Sequence, residues 1–294
     1  MKIKLIASDS MGTRSMATFI ESKDIRIFID PGVALGPNRY GLPPHPLELD
    51  KLNKDWKEIV KYAKIAEVIV VTHYHYDHHS PWENLEIYKD KIVLIKHPKS
   101  KINMSQRRRA SFFLETIKDL PKAIDYCDGK EYFFGNVKIK FSKPVYHGTN
   151  EKLGYVTEVL ICNGEDSFIF TSDVEGASLK DQLNFIIENK PKIVYLDGPM
   201  TYMLGYRFSF KSFEQSINGI KKIILECPIE TLIIDHHLLR DIEWKEKLNE
   251  TFKVAERKNV KVITAAEFEN KSLTMLEAKR KELYKNYPVK PQLN

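Results

Sequence analysis

Cysteine is scarce and poorly placed for stapling: Cys127, Cys162 and Cys227 are three in 294 residues, with no C-x-x-C pair. An odd number at wide spacing indicates neither a disulfide framework nor a zinc ribbon. No apolar run approaches the 18 or more residues of a membrane span, and the start MKIKLIASDS lacks the long apolar segment of a secretory signal. The chain therefore reads as cytoplasmic, with no membrane partner. An excess of one charge is missing too. Lys and Arg number 46 against 40 Asp and Glu, and a net +6 permits an anionic substrate without demanding nucleic acid. With no repeat, low-complexity tract or linker, one domain spanning 1–294 is the economical reading. A composition 43% hydrophobic and 29% charged is enough for a sizeable core.

Against that background one stretch stands out, Val68-Ile-Val-Val-Thr72 followed by His73-Tyr-His75-Tyr-Asp77-His78-His79. Four apolar residues in a row read as a buried strand. Five potential metal ligands follow within seven residues. In extended backbone His73 and His75 point to one side, because strand side chains repeat every two residues. Asp77 and His78 lie where a change of chain direction turns them back to the same point. The spacing suits two close metal ions, one held by His73 and His75, the other by Asp77 and His78. Imidazole with carboxylate favours zinc, with manganese or iron also possible. A wet polar loop accounts for one histidine, not for five; His79 alone could belong to either description.

The remaining chain falls into two halves. Residues 2–8, 17–22 and 25–30 read as antiparallel strands, the last ending at Asp30-Pro-Gly32, and a Gly/Pro-rich loop follows to Pro46 with His45 at the surface. Helices are expected over 52–65 and 105–120; the second contains Arg107, Arg108 and Arg109, a solvated face or a phosphate contact. A hairpin turns at Gly135-Asn136, and His147 follows another strand, backed by Gly148. Strands at 154–162 and 167–171 lead to Asp173. Beyond it helices at 179–189, 213–226 and 242–257 alternate with strands at 193–196, 232–234 and 260–264, and a last helix covers about 273–286. The strand at 232–234 runs into Asp235-His236-His237, and Arg240 lies just beyond. Early strands followed by strand–helix repeats give two sheets with helices outside, an α/β (α+β) four-layer sandwich.

The run Thr72-His73-x-His75-x-Asp77-His78 resembles the HxHxDH signature of the metallo-β-lactamase superfamily, and the order of the later candidates extends the likeness over most of the chain. The resemblance implies the αβ/βα sandwich and a dinuclear site: His73, His75 and His147 on one metal, Asp77, His78 and His236 on the other, and Asp173 bridging. It implies that Asp30 supports the metal-bearing loop by hydrogen bonds. By analogy with the phosphodiesterase branches of the superfamily, His236 matches the last ligand and Arg240 a functional arginine, with His237 the other candidate ligand. Asp77 has a second implied role at the attacking water, which two divalent cations would activate as a bridging hydroxide near neutral pH. Asp197 and Asp235 are candidates to hold imidazole N–H groups from behind.

Substrate is less legible. His79-Ser-Pro-Trp82 replaces the glycines usual in glyoxalase II relatives, and His75 stands where the flavodiiron reductases carry glutamate. The Ser10–Ser15 segment is loosely similar to the transfer-RNA 3′ processing enzymes, whose RNA-binding arm is not evident here. The chain is most similar to the archaeal hydrolases of the superfamily. A metal-dependent hydrolase of a phosphodiester, in nucleic acid or nucleotide, is expected. Hydrolysis of a small lactone, ester or thioester is the alternative, and a non-catalytic binding protein on the same fold the second.

Overall fold

Alternation along short strands decides the layers. The structure, a computed structural model, describes residues 1–164 and 166–289. Strands β1 (Lys2–Leu5), β2 (Thr18–Glu21) and β3 (Arg26–Ile29) pair antiparallel in sequence order. Helix α1 (Pro46–Ile65) carries the chain to β4 (Val68–Val71), parallel to β3; β5 (Ile92–Ile95), helix α2 (Met104–Ile117) and β6 (Ala123–Tyr126) complete a six-stranded sheet.

The second half opens with β7 (Glu131–Phe134) and β8 (Val137–Phe141), then a two-stranded ribbon of β9 (Val145–Tyr146) and β10 (Tyr155–Val156). β11 (Val159–Asn163) and β12 (Asp166–Phe170) are followed by α3 (Lys180–Asn189), β13 (Ile193–Asp197), α4 (Phe210–Glu226) and β14 (Thr231–Asp235). α5 (Trp244–Lys247), α6 (Asn249–Lys258), β15 (Lys261–Ile263), α7 (Ala265–Phe268) and α8 (Arg280–Asn286) close the chain. The seven-stranded sheet runs β15-β14-β13-β12-β11-β8-β7, parallel from β12 to β15 and antiparallel elsewhere.

Ile27, Ile29, Val68 and Val70 point into a central core, where they meet Ile161, Phe168 and Phe170 of the other sheet. Their neighbours Phe28, Ile69 and Val71 face outward onto Ile59 and Ala63 of α1 and Phe113 of α2. On the far side Leu160, Ile169, Val194 and Leu232 pack against Ile186 of α3 and Ile220 and Ile224 of α4. Helices, sheet, sheet, helices: this is the expected four-layer sandwich. Among the described residues no helix is long and apolar enough to cross a membrane.

Several local expectations are corrected. His45 is not a surface residue: it is buried and caps α1, its Nδ1 accepting from Leu47 N and its Nε2 lying 2.8 Å from Tyr287 O. The helix expected over 242–257 is broken at buried Leu248 (φ −97°, ψ 8°) into α5 and α6. The last helix begins at Arg280, not 273, because Thr274 N bonds Ser10 O at 2.9 Å and Met275 takes a φ of 46°. The strand expected over 154–162 is interrupted where Thr157 N donates to Thr72 O of the opposite sheet.

Next to that interruption Glu158 is fully buried, both carboxylate oxygens lack a partner, and burial together with Asp181 pushes its pKa far up. Folding therefore favours the protonated form. The penalty is absent below the unfolded value of about 4.3 and grows by up to about 1.4 kcal/mol per pH unit above it, until the folded pKa is reached. Glu158→Gln is expected to melt above the parent at pH 7–8 and to show no such advantage at pH 4, in thermal melts across that range.

Candidate metal centre

Every candidate ligand follows the carboxyl end of a strand on one rim of the sandwich: residues 73–79 after β4, His147 after β9, Asp173 after β12 and His236 after β14. Parallel β12, β13 and β14 in matched register bring Ser172–Asp173, Asp197 and Asp235–His236 to this edge together. The parallel β3–β4 pair does the same for Asp30 and Thr72.

At the rim the donors sort into two groups. The ligand atoms of His73, His75, His147 and Asp173 lie within 4.8 Å of one another, and so do those of Asp77, His78 and His236. Asp173 faces both groups. Its Oδ2 is 3.0 Å from His147 Nε2 and 3.6 Å from His73 Nε2; its Oδ1 is 3.0 Å from His78 Nε2 and 3.4 Å from His236 Nε2. Asp77 Oδ2 reaches His236 Nε2 at 3.8 Å. Buried yet unpartnered are the Nε2 atoms of His73, His78 and His147 and Oδ1 of Asp173. Buried polar atoms without partners are costly, and a cation in each donor group would satisfy them.

Carboxylates and hydroxyls behind the rings fix which nitrogen faces inward. Asp30 Oδ2 lies 2.8 Å from His78 Nδ1 while the same carboxylate accepts from Thr72 N and Oγ1 at 2.7 and 2.6 Å, so the supporting role expected of Asp30 is observed. His73 Nδ1 is 3.2 Å from Ser172 Oγ. Asp9, which sequence reasoning missed, lies 2.7 Å from His236 Nδ1 and accepts from Arg240 Nε at 2.8 Å. Asp9 immediately precedes the Ser10–Ser15 segment, whose likeness to the transfer-RNA 3′ processing enzymes was the available signal. Glu175 Oε1, also missed, stands 3.7 Å from His147 Nδ1. Gly148 (φ 70°) leaves room for that carboxylate: a Cβ there would lie 2.4 Å from Glu175 Oε2.

Asp197 holds His237 through Nδ1 at 3.0 Å, whereas Asp235 accepts from the backbone N–H groups of Ser10, His236 and Ala265 and from no imidazole. His237 joins Asp173 and His236 in a further close group, but His236 is the histidine beside Asp77. His79 turns away: its Nδ1 lies 3.0 Å from His75 O and its ring packs on Phe113. Arg240 Nη2 lies 3.3 Å from His236 Nε2 and 4.0 Å from Asp77 Oδ2. Arg107 and Arg108 are exposed; Arg109 is half-buried against the Tyr76 ring.

Four residues of the site have left-handed backbone. Asp30, Ser172, Glu175 and His236 all have φ between 49° and 57°, a region L-residues enter at a cost of about 1–2 kcal/mol each.

The charges are lopsided in the metal-free cluster. Burial and the neighbouring imidazoles hold His73 well below its ordinary value and His75 down to about 3. Burial opposes charge on His78 and His236 as well, yet Asp173, with Asp30 and Asp9 respectively, pushes His78 well up and His236 up to about 10. Both must shed a proton to bind metal. Calorimetric titration of zinc in buffers of different ionisation enthalpy is expected to show release of about two protons at pH 7, with affinity rising with pH.

Layers, strand order and the donor rim define the metallo-β-lactamase fold. Solved structures agree: a possible metal-dependent hydrolase from Veillonella parvula aligns with a TM-score of 0.54 at 13% identity, covering 89% of this chain and 94% of that one. The metallo-β-lactamase fold protein YhfI from Bacillus subtilis aligns at 0.52 and 13%, covering 89% and 95%. Within that fold the chain belongs to the UPF0282 family. It is 58% identical over 289 residues to the UPF0282 protein of Korarchaeum cryptofilum, covering 98% of this chain and 96% of that one. To a UPF0282 protein of Saccharolobus solfataricus it is 48% identical over 295 residues, covering 99% and 96%. No protein-family model matches the chain.

Proposed function

We propose that this protein is a dinuclear metal-dependent hydrolase whose substrate is a phosphodiester in nucleic acid or a nucleotide. The observation that carries the reading is Asp173, whose two oxygens face separate histidine sets. His73, His75, His147 and one Asp173 oxygen would hold one divalent ion, Asp77, His78, His236 and the other oxygen a second, zinc first and manganese or iron as alternates. When bound, such a pair supplies the Lewis acidity that brings the pKa of water from 15.7 to about 7 and offsets charge on a substrate oxygen.

The chain's own groups divide the remaining work. Asp77 carries a carboxylate that the His78 and His236 charges hold well below its usual range, against the upward push of burial. It stays ionised and can orient a water. Arg240 is fixed through Nε by Asp9, which leaves Nη2 beside Asp77 to donate to an anionic oxygen. A cation at that point favours a phosphoryl group over a neutral carbonyl. The same cation weakens the second metal group, so His73, His75, His147 and Asp173 are expected to bind the tighter ion.

Zinc- or manganese-loaded protein is expected to hydrolyse bis(p-nitrophenyl) phosphate, and Asp77→Ala to lower kcat by at least about a hundredfold. No turnover of any diester, or faster turnover of a lactone or thioester panel, overturns the substrate assignment.

A further inference from the structure

Next to the donor run in the chain lies an aromatic and cationic cluster. Tyr76 stands between His75 and Asp77 in the chain; its ring lies 4.2 Å from that of Trp82 and 4.5 Å from the Arg109 guanidinium. Trp82 is 56% exposed, which leaves a broad apolar face in water. Gln106, one turn before Arg109 on α2, accepts from Tyr74 N and donates to Leu153 O, so the helix is pinned both to the 73–79 loop and to the segment that follows His147. A loop tip with these contacts is held in place. None of the three side chains has a part in the metal group, and Tyr76 lies one residue from two of its members.

Resting on the phosphodiester reading, we propose that Tyr76, Trp82 and Arg109 form a stacking subsite for the nucleobase attached to the scissile phosphate. An exposed indole braced by a phenol ring offers a flat face to a planar ring. The guanidinium over the Tyr76 ring suits the anionic phosphate that a nucleotide carries and a fatty acyl chain does not. An acyl substrate calls for a concave apolar pocket; Trp82 instead stands out from the surface.

Two readouts separate this subsite from the activity it serves. With manganese-loaded full-length protein, kcat/KM is measured for thymidine 5′-(p-nitrophenyl phosphate) and for methyl p-nitrophenyl phosphate, which lacks a base. The ratio of the two is expected to fall about tenfold or more in Trp82→Ala and in Arg109→Gln. Phe133→Ala, 68% exposed on β7, is the control and should keep the parental ratio. Independently, thymidine 5′-monophosphate should quench a component of the tryptophan emission that is missing in Trp82→Phe. Quenching without hydrolysis of either ester keeps the subsite and removes the diesterase reading. An unchanged ratio in both variants, or emission indifferent to the nucleotide in the parent, overturns the subsite.

Discussion

Asp173→Asn is expected to lose metal more completely than any substitution behind the ligands. Removing an outer partner of a metal ligand costs about 10–100-fold in affinity. Asp173 touches the Nε2 atoms of four imidazoles, with His78 and His147 both at 3.0 Å, whereas Asp30, which also lies near His73 and His78, meets His78 from behind through Nδ1. An amide keeps the volume, but only its oxygen can ligate; its –NH2 end, turned to either histidine group, has no lone pair for an ion and donates instead to the inward Nε2 lone pairs that an ion would need. The charge matters as much as the shape. Asp173 is held well below its usual range, despite burial, by His78, His236 and His73, and in turn it keeps His78 and His236 protonated in the metal-free protein. More than about a hundredfold loss in zinc affinity is expected, read by chelator competition and by the metal-to-protein ratio after dialysis. The proton release on any residual binding should shrink as well, because His78 and His236 lose the neighbour that holds their protons. An Asp173→Asn protein that retains two ions per chain would end the shared-carboxylate account.

What the sequence shows of this centre is its short-range part. His73, His75, Asp77 and His78 lie within six residues, and strand periodicity is enough to place them on one side. The four layers follow from the same logic, since Ile27 and Ile29 against Phe28, or Phe168 and Phe170 against Ile169, alternate between cores as their positions require. The supports behind the rings are different. Asp9 and His236 are 227 residues apart, and no local pattern announces a pairing that depends on β14 ending beside the Ser8–Ser15 turn. Positive φ at Asp30, Ser172 and His236 is equally silent, because each is a residue that sequence rules assign to ordinary backbone and tertiary contacts override. His45 is a misreading of another kind. Flanking prolines suggested a surface loop, yet Pro46 at the first helical position and Glu48 three residues after the cap were the signals of a helix start. The break at Leu248 had no such warning, for the apolar periodicity runs through it.

Gly32→Ala should disturb fold and metal centre together, although it adds a single methyl group. A Cβ on Gly32 would lie 2.2 Å from His79 N and 2.5 Å from the carbonyl carbon of His78, both backbone atoms that cannot swing aside. Gly32 is itself tethered, its carbonyl accepting from Ser15 Oγ at 2.6 Å and its N–H donating to Asp30 O at 2.8 Å. Relief therefore comes only by parting the 30–33 segment from the 78–79 segment. That parting stretches the bonds from Asp30 to Thr72 and His78, which set the inward face of the second metal group. Overpacking of this kind costs about 1–3 kcal/mol, and a loosened Asp30–His78 pair adds about 10–100-fold in metal affinity. Gly41 provides the contrast: its φ of 78° strains an alanine, by about 1–2 kcal/mol, but a Cβ there meets nothing within 4 Å. Gly41→Ala should thus lower the melting temperature and leave zinc affinity at the parental value, whereas Gly32→Ala lowers both. Equal zinc affinity in the two variants would mean that the close approach of these segments does not position His78, and that the ring is held by the Asp30 hydrogen bond wherever the loop lies.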